Sequence, residues 1–99
     1  MEIKVQSIHF DADKKLVQFI TDKVSKLSSL HDHITSGEVF LRLDKNVSGD
    51  NKIAEIKVNV PGKELFAKRQ CKTFEEAVDT SVEALRNQIK KYKGKLVNR

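Results

Sequence analysis

The feature that most constrains this fold is a long amphipathic segment near the end of the chain. Its apolar residues recur in steps of four and three, and they are Phe74, Val78, Val82, Leu85, Ile89 and Tyr92. At about 100° per residue they form a single apolar stripe, which predicts a helix from about Thr73 to Lys95. Thr73 and Glu76 have the spacing of a capping box, which marks the helix start. A stripe of this length must pack on another layer of structure.

The charged residues of this helix are sorted by sign. The first half contains the acids Glu75, Glu76, Asp79 and Glu83. Beyond Glu83, every charged residue is a cation: Arg86, Lys90, Lys91, Lys93, Lys95 and Arg99. This order suits the helix macrodipole, but cations four residues apart repel each other by roughly 0.2–0.5 kcal/mol. The excess therefore indicates either an anionic partner or a solvated face that keeps the protein soluble.

The first third of the chain predicts a strand followed by a second helix. Ile3 and Val5 alternate with polar residues, which is typical of a half-buried strand and predicts one over residues 2–8. Asp13 is a candidate N-cap, and apolar residues at helical spacing follow it. We therefore expect a helix over about residues 14–30.

The middle of the chain predicts a three-stranded meander. Residues 39–44 and 54–60 each alternate apolar and polar side chains, and a polar segment separates them. Pro61-Gly62 marks a tight turn into a further strand over about residues 64–71.

The resulting order is βαβββα, which predicts an α+β fold with a four-stranded mixed sheet and two helices packed side by side on one face. A right-handed crossover would make the first strand parallel to its neighbour and bring the basic edges of the helices together. The basic edge of the first helix comprises Lys15, Lys23 and Lys26. A chain of 99 residues suits one domain over residues 1–99.

Residues with catalytic or metal-binding chemistry form no recognisable site in the sequence. His31-Asp32-His33 lacks further ligands at a familiar spacing, and the histidines are expected at the surface or in turns. The four glycines form no phosphate loop, and no nucleophile can be placed beside a base. Cys71 is expected to pack as a small hydrophobic residue. The sequence therefore predicts no enzyme, no metal, no cofactor and no small-molecule substrate.

Composition narrows the class of partner. The formal net charge is +5, which points to a polyanion, and charge alone does not separate nucleic acid from acidic lipid. No apolar run approaches the length of a membrane span, so no membrane partner is expected. The start does not resemble a signal peptide and the single cysteine cannot form an internal disulfide, which favours the cytoplasm.

The sheet face opposite the helices offers a second interpretation. Phe40 and Phe66 are expected there together with Arg42, Lys57 and Lys68, which would mimic a base-stacking platform. An RNA-recognition motif, however, has a last strand after its second helix and a glycine-aromatic signature, and both are missing here. A cross-strand phenylalanine pair is the simpler interpretation.

Two helical stretches are similar to one known family. Residues 19–27 read FITDKVSKL, and residues 85–95 read LRNQIKKYKGK, with an Arg, a Gln and repeated Lys. Both resemble the helices of the ribosome hibernation promoting factor family, which includes the ribosome-associated translation inhibitors. The resemblance covers essentially residues 1–97.

This resemblance implies the βαβββα fold, binding to the small (30S) subunit and the 70S ribosome where messenger and transfer RNA pass, and silencing of idle ribosomes. The residues expected to contact 16S rRNA are Lys23, Lys26, Arg86, Lys90, Lys91, Lys93 and Lys95. Five other cations match no motif of the family and remain electrostatic candidates only: Lys14, Lys15, Lys68, Arg69 and Lys72.

The chain looks like a short form without the extra domain that long members use to pair ribosomes, and we expect a monomer when it is free. Two other hypotheses remain open. One is a protein-interaction module that uses the outer sheet face or an open edge strand. The other is generic RNA binding.

Overall fold

The computed structural model describes residues 1–97, and it describes side-chain surroundings through residue 92. The elements are β1 (Glu2–Ser7), α1 (Lys14–Ser25), a short 3₁₀ helix (Lys26–Ser29), β2 (Ser36–Leu43), β3 (Lys52–Val60), β4 (Lys63–Cys71) and α2 (Phe74–Val97). Their order confirms the predicted βαβββα arrangement.

The four strands form one sheet in the order β1-β2-β3-β4. β1 is parallel to β2, whereas β2, β3 and β4 pair antiparallel in sequence. The mixed sheet and the meander are therefore as predicted. Because β1 and β4 are the two edge strands, β3 separates β2 from β4.

The core lies between the sheet and the two helices. Alternate residues of the strands face the helices, and the apolar stripes of α1 and α2 pack on them. The side chains in this layer that have no exposed surface include Ile20, Val24, Val39, Leu41, Ile56, Val58, Leu85 and Ile89. Fully burying one such side chain contributes about 1.5–3 kcal/mol, so this layer is the main source of stability.

The first helix is shorter than the sequence predicts. The α-helical part ends at Ser25, and a 3₁₀ turn continues to Ser29. The Ser25, Ser28 and Ser29 hydroxyls each donate to the carbonyl oxygen three residues earlier, at 2.7–2.9 Å. Such hydroxyls compete for helix carbonyls and favour the tighter i,i+3 geometry, which ends the α-helix early.

The two helices run in the same direction along the sheet. Phe10, just before α1, stacks on Phe74 at the start of α2, with ring centroids 5.1 Å apart. The His31 ring, just after the 3₁₀ helix, lies 5.4 Å from that of Tyr92 in the second half of α2. The first half of α2 therefore lies beside α1, and its second half extends past the end of α1.

Candidate nucleic-acid interface

The second half of α2, residues 86–97, is here called the basic half. Its helix starts as predicted, because the Glu76 amide donates to the Thr73 hydroxyl oxygen at 3.1 Å. Leu85 and Ile89 hold the helix on the sheet with fully buried side chains. A helix held in this way fixes the positions from which its outward side chains project.

Lys90 and Lys91 are the freest cations of the basic half. Both side chains are exposed, and within the described part of the chain neither forms an ion pair. No acid lies three or four residues before or after either of them. Their ammonium groups are therefore available to an external anion.

Arg86 is only partly available, although the sequence predicts that it is exposed. Its side chain is 37% exposed, and its Nε lies 3.5 Å from a carboxylate oxygen of Glu83. This Nε is fully buried and has no hydrogen-bond partner among the described atoms. Arg86 is partly buried because it lies beside the apolar stripe, where the aliphatic part of its side chain covers neighbouring apolar surface.

Lys93 and Lys95 belong to α2 by their backbone, but their side chains lie outside the described residues. Their predicted contacts with RNA stay predictions.

The two cations predicted at the end of the first helix have different environments. Lys23 Nζ lies 3.2 Å from Asp79 Oδ1 and also 5.7 Å from the Phe19 ring centroid. Because α1 lies beside the acidic first half of α2, the predicted approach of Lys23 to the basic half is wrong. Lys26 is exposed on the 3₁₀ helix, which itself contacts α2.

Two hydrogen bonds anchor the basic half to the β3–β4 hairpin. Gln88 Nε2 donates to the Phe66 carbonyl oxygen, and the Tyr92 hydroxyl donates to the Pro61 carbonyl oxygen, each at 2.9 Å. Gln88 and Tyr92 are four residues apart, so they project from the same side of the helix. Sequence analysis missed both bonds, because Tyr92 was assigned only to the apolar stripe and Gln88 was noted only as part of the resemblance to the family, without a contact.

His31 packs against the same part of α2. It begins the turn that follows the 3₁₀ helix, which fits the predicted surface or turn position, but its side chain is buried. Its ring packs against Tyr92, and its Nδ1 accepts a hydrogen bond from the His33 amide at 3.0 Å. The residue follows the 3₁₀ helix, where the chain turns back under the end of α2. Tertiary packing therefore decides its burial, and no local pattern signals it.

The outer face of the sheet, opposite the helices, holds the predicted aromatic and basic residues, but most of them contact one another. Arg42 and Lys68 both form ion pairs with Glu55 between them. Lys57 Nζ lies 5.7 Å from the Phe40 ring centroid. These contacts leave few free cations on this face.

The predicted cross-strand pair of phenylalanines is wrong. Phe40 lies on β2 opposite Glu55, whereas Phe66 lies on β4 opposite Lys57. Because β3 runs between β2 and β4, the two rings are not direct neighbours across a strand pair. Phe66 is 43% exposed as a result.

The described residues offer binding chemistry rather than reactive chemistry. No group of three or more His, Cys, Asp or Glu side chains could hold a metal within them. Cys71 packs against the core as predicted, and burial raises the pKa of its thiol, with a smaller contribution from the Glu76 carboxylate. None of the described helices is long and apolar enough to cross a membrane.

Two ribosome hibernation promoting factors are similar in sequence to this chain over nearly its full length. The ribosome hibernation promoting factor of Pseudomonas putida is 24% identical over 95 residues, which cover 96% of this chain and 89% of that protein. The protein of the same name from Klebsiella oxytoca is 26% identical over 96 residues, which cover 97% of this chain and 97% of that protein.

Two solved structures have the same fold. The N-terminal domain of Protein Y from Thermus thermophilus matches with a TM-score of 0.81 and 22% identity over 93% of this chain and 99% of that one. A ribosomal subunit interface protein from Coxiella burnetii matches with a TM-score of 0.84 and 22% identity over 95% of this chain and 99% of that one. The model of one family, the sigma 54 modulation protein / S30EA ribosomal protein family, matches residues 3–97, and this chain belongs to that family.

Proposed function

We propose that this protein binds the small (30S) ribosomal subunit through contacts of its basic half with 16S rRNA. It occupies the channel of messenger and transfer RNA and thereby inhibits translation and preserves idle ribosomes. The observation that carries this proposal is the pair Lys90 and Lys91, which are exposed, have no ion pair among the described residues, and lie on a helix that is fixed to the sheet. The names of the relatives support it, since two are ribosome hibernation promoting factors and one is a ribosomal subunit interface protein.

The proposed mechanism is occlusion. Membership in the family confirms the prediction that the chain is not an enzyme, so inhibition would require no bond to be made or broken. Each lysine or arginine that neutralises a phosphate releases condensed counterions, which favours binding. A rigid helix contributes further, because the backbone that carries these cations is already ordered before binding.

The proposed surface has a centre and a margin. Lys90 and Lys91 form the centre, and Arg86 adds the part of its guanidinium that is not held by Glu83. The margin comprises Lys26 on the 3₁₀ helix and, further along α2, Lys93 and Lys95. Lys23 is the weakest contributor because Asp79 already neutralises it.

We further propose that the protein acts in the cytoplasm, where ribosomes are, binds the 70S ribosome as well as the free small subunit, and is a monomer when free. A protein-interaction module that uses the outer sheet face or an open edge strand is the less favoured alternative, because the names of the relatives refer to ribosomes.

The first experiment measures binding to purified small subunits as the salt concentration rises from about 50 to 200 mM. Five to eight phosphate contacts predict that the affinity falls roughly 10²- to 10⁴-fold over this range. A protein-interaction module would respond only weakly. An almost flat curve would reject binding driven by phosphate contacts.

A pair of double variants then locates the surface. Lys90→Gln with Lys91→Gln should weaken binding about 10- to 30-fold at about 0.15 M salt and lower the steepness of the salt dependence by up to about 1.8 units. Lys57→Gln with Lys68→Gln removes the same charge from the outer sheet face and should leave binding within about twofold of wild type. Equal losses in both variants would mean that net charge, and not the basic half, determines binding.

A further inference from the structure

The turn between β3 and β4 contains a cation that the sequence patterns do not distinguish. Lys63 is the first residue of β4 and lies opposite Val60 in the β3–β4 register. Side chains directly opposite each other share a face of the sheet, and Val60 is buried on the face that the helices cover. Lys63 therefore projects to the helix side of the sheet, and it is exposed because it lies at the end of the strand.

The alternation along β4 supports this assignment independently. Leu65 and Ala67, at two and four residues beyond Lys63, are buried beneath the helices. Glu64 and Phe66 are exposed and project to the outer face. The acid that adjoins Lys63 in sequence is thus on the opposite side of the sheet, and within the described residues Lys63 forms no ion pair.

The same turn is fixed against the basic half of α2. The Tyr92 hydroxyl donates to the carbonyl oxygen of Pro61, and Gly62 has a φ of +73°, in the left-handed region that a tight turn uses. Lys63 is two positions beyond Pro61, a span of at most about 7 Å. The ammonium group of Lys63 is therefore on the same side and at the same end of the molecule as Lys91.

We propose that the β3–β4 turn is a second element of the RNA-binding surface, in which Lys63 contacts an RNA phosphate and the hydrogen bond from Tyr92 to Pro61 holds the turn in position. This proposal rests on the proposed function and extends it from one helix to a composite of a helix and a turn. A phosphate is the matching ligand, because the neighbouring free groups of this surface are cations.

The first test compares Lys63→Gln with Lys45→Gln in binding to purified small subunits. Lys45 is also an exposed lysine, but it lies in the β2–β3 connection at the other end of the sheet, so its variant is a matched control. Lys63→Gln should weaken binding about four- to fivefold at about 0.15 M salt and lower the steepness of the salt dependence by about 0.7–0.9 units. Lys45→Gln should change neither quantity.

The second test is a double-mutant cycle with Tyr92→Phe, which removes the hydroxyl and keeps the ring. If the hydrogen bond positions the turn, the loss caused by Lys63→Gln should shrink to about twofold or less in the Tyr92→Phe background. An undiminished loss would overturn the positioning role of Tyr92.

Different results would overturn the role of the β3–β4 turn and the proposed function. If wild-type protein binds small subunits and Lys63→Gln binds equally well with the same salt dependence, the role of the turn is overturned and the proposed function stands. If wild-type protein does not bind small subunits at all, the proposed function fails, and the role of the turn fails with it.

Discussion

The basic half of α2 and the outer face of the sheet contain similar cations in opposite electrostatic situations. Each region has at least three described cations. On the sheet, three of four are already engaged by a neighbouring side chain, and the fourth, Lys4 on the edge strand β1, is exposed and has no ion pair among the described residues. Arg42 and Lys68 bind the Glu55 carboxylate, and Lys57 lies over the Phe40 ring. On α2, by contrast, Lys90 and Lys91 are exposed without an ion pair in the described part of the chain.

The difference follows from the geometry of the two elements. Neighbouring strands bring side chains from distant parts of the sequence within about 4.5–5.5 Å, so an acid on β3 can serve cations on both β2 and β4. Within a single helix, a surface side chain has neighbours only at i±3 and i±4, and around Lys90 and Lys91 these positions contain no acid. The number of cations alone does not define a binding surface, whereas the number without an internal partner does.

The largest expected effect concerns packing under the two regions. Leu85→Ala should lower the free energy of unfolding by about 2–5 kcal/mol, because the side chain is fully buried and its loss leaves a cavity. Phe66→Ala on the outer face should cost no more than about 1.5 kcal/mol, since that ring is 43% exposed. Urea denaturation of both variants checks the contrast. A cost for Phe66→Ala as large as that of Leu85→Ala would show that the outer face is covered in solution.

The next prediction tests whether ion pairs with Glu55 keep the cations of the outer sheet face from binding RNA. Glu55→Gln should free Arg42 and Lys68 and raise the affinity for a non-specific RNA oligonucleotide about two- to fivefold in dilute salt. It should also cost about 1–2 kcal/mol of stability, because the carboxylate is largely buried between two cations. Binding is measured well below the melting temperature.

The control for this variant is Glu64→Gln, which makes the same change of charge on the same face. Glu64 is exposed and forms no ion pair among the described residues, so its replacement should raise the affinity by less than twofold. If Glu64→Gln and Glu55→Gln strengthen RNA binding equally, the change in net charge explains both effects, and the ion pairs with Glu55 are not the reason why the outer face binds RNA weakly.

The smallest effect concerns Lys23, a helix cation that is engaged by an acid, as Arg42 and Lys68 of the sheet are. Asp79→Asn should change the stability by no more than about 0.5 kcal/mol, since the pair is an exposed one. The freed Lys23 should then strengthen binding to small subunits about twofold, whereas Glu75→Gln, an acid of the same helix half without an ion pair among the described residues, should do so less. Identical binding by the two variants would exclude Lys23 from the surface.

Much of the fold was predictable because its elements have strong periodicities. The stripe of α2 and the alternation of β2 and β3 each indicate one element and one buried face. The N-caps at Asp13 and Thr73 are also as predicted, with the Asp13 carboxylate accepting from the Leu16 amide at 2.7 Å. The early end of α1 was missed, because the serine hydroxyls that tighten its last turn are compatible with either helical form.

The candidate surface was predictable only in part. Charge and periodicity along α2 indicated Lys90 and Lys91 correctly as exposed residues, because both lie off the apolar stripe of their own helix. It could not indicate that Asp79 engages Lys23, since that contact depends on the relative direction of the two helices. Lys63 was missed because a lysine beside a turn has no periodic pattern to distinguish it.

The sequence by itself determined the order of the elements, the buried side of each and the sign of charge along α2, because these depend on residues a few positions apart. The tertiary structure alone decided which cations remain free. It placed Glu55 between Arg42 and Lys68, Asp79 beside Lys23, and the β3–β4 turn beneath Tyr92. The physical reason is that an ion pair or hydrogen bond depends on distance in space, and the partners in these contacts come from different elements of the fold.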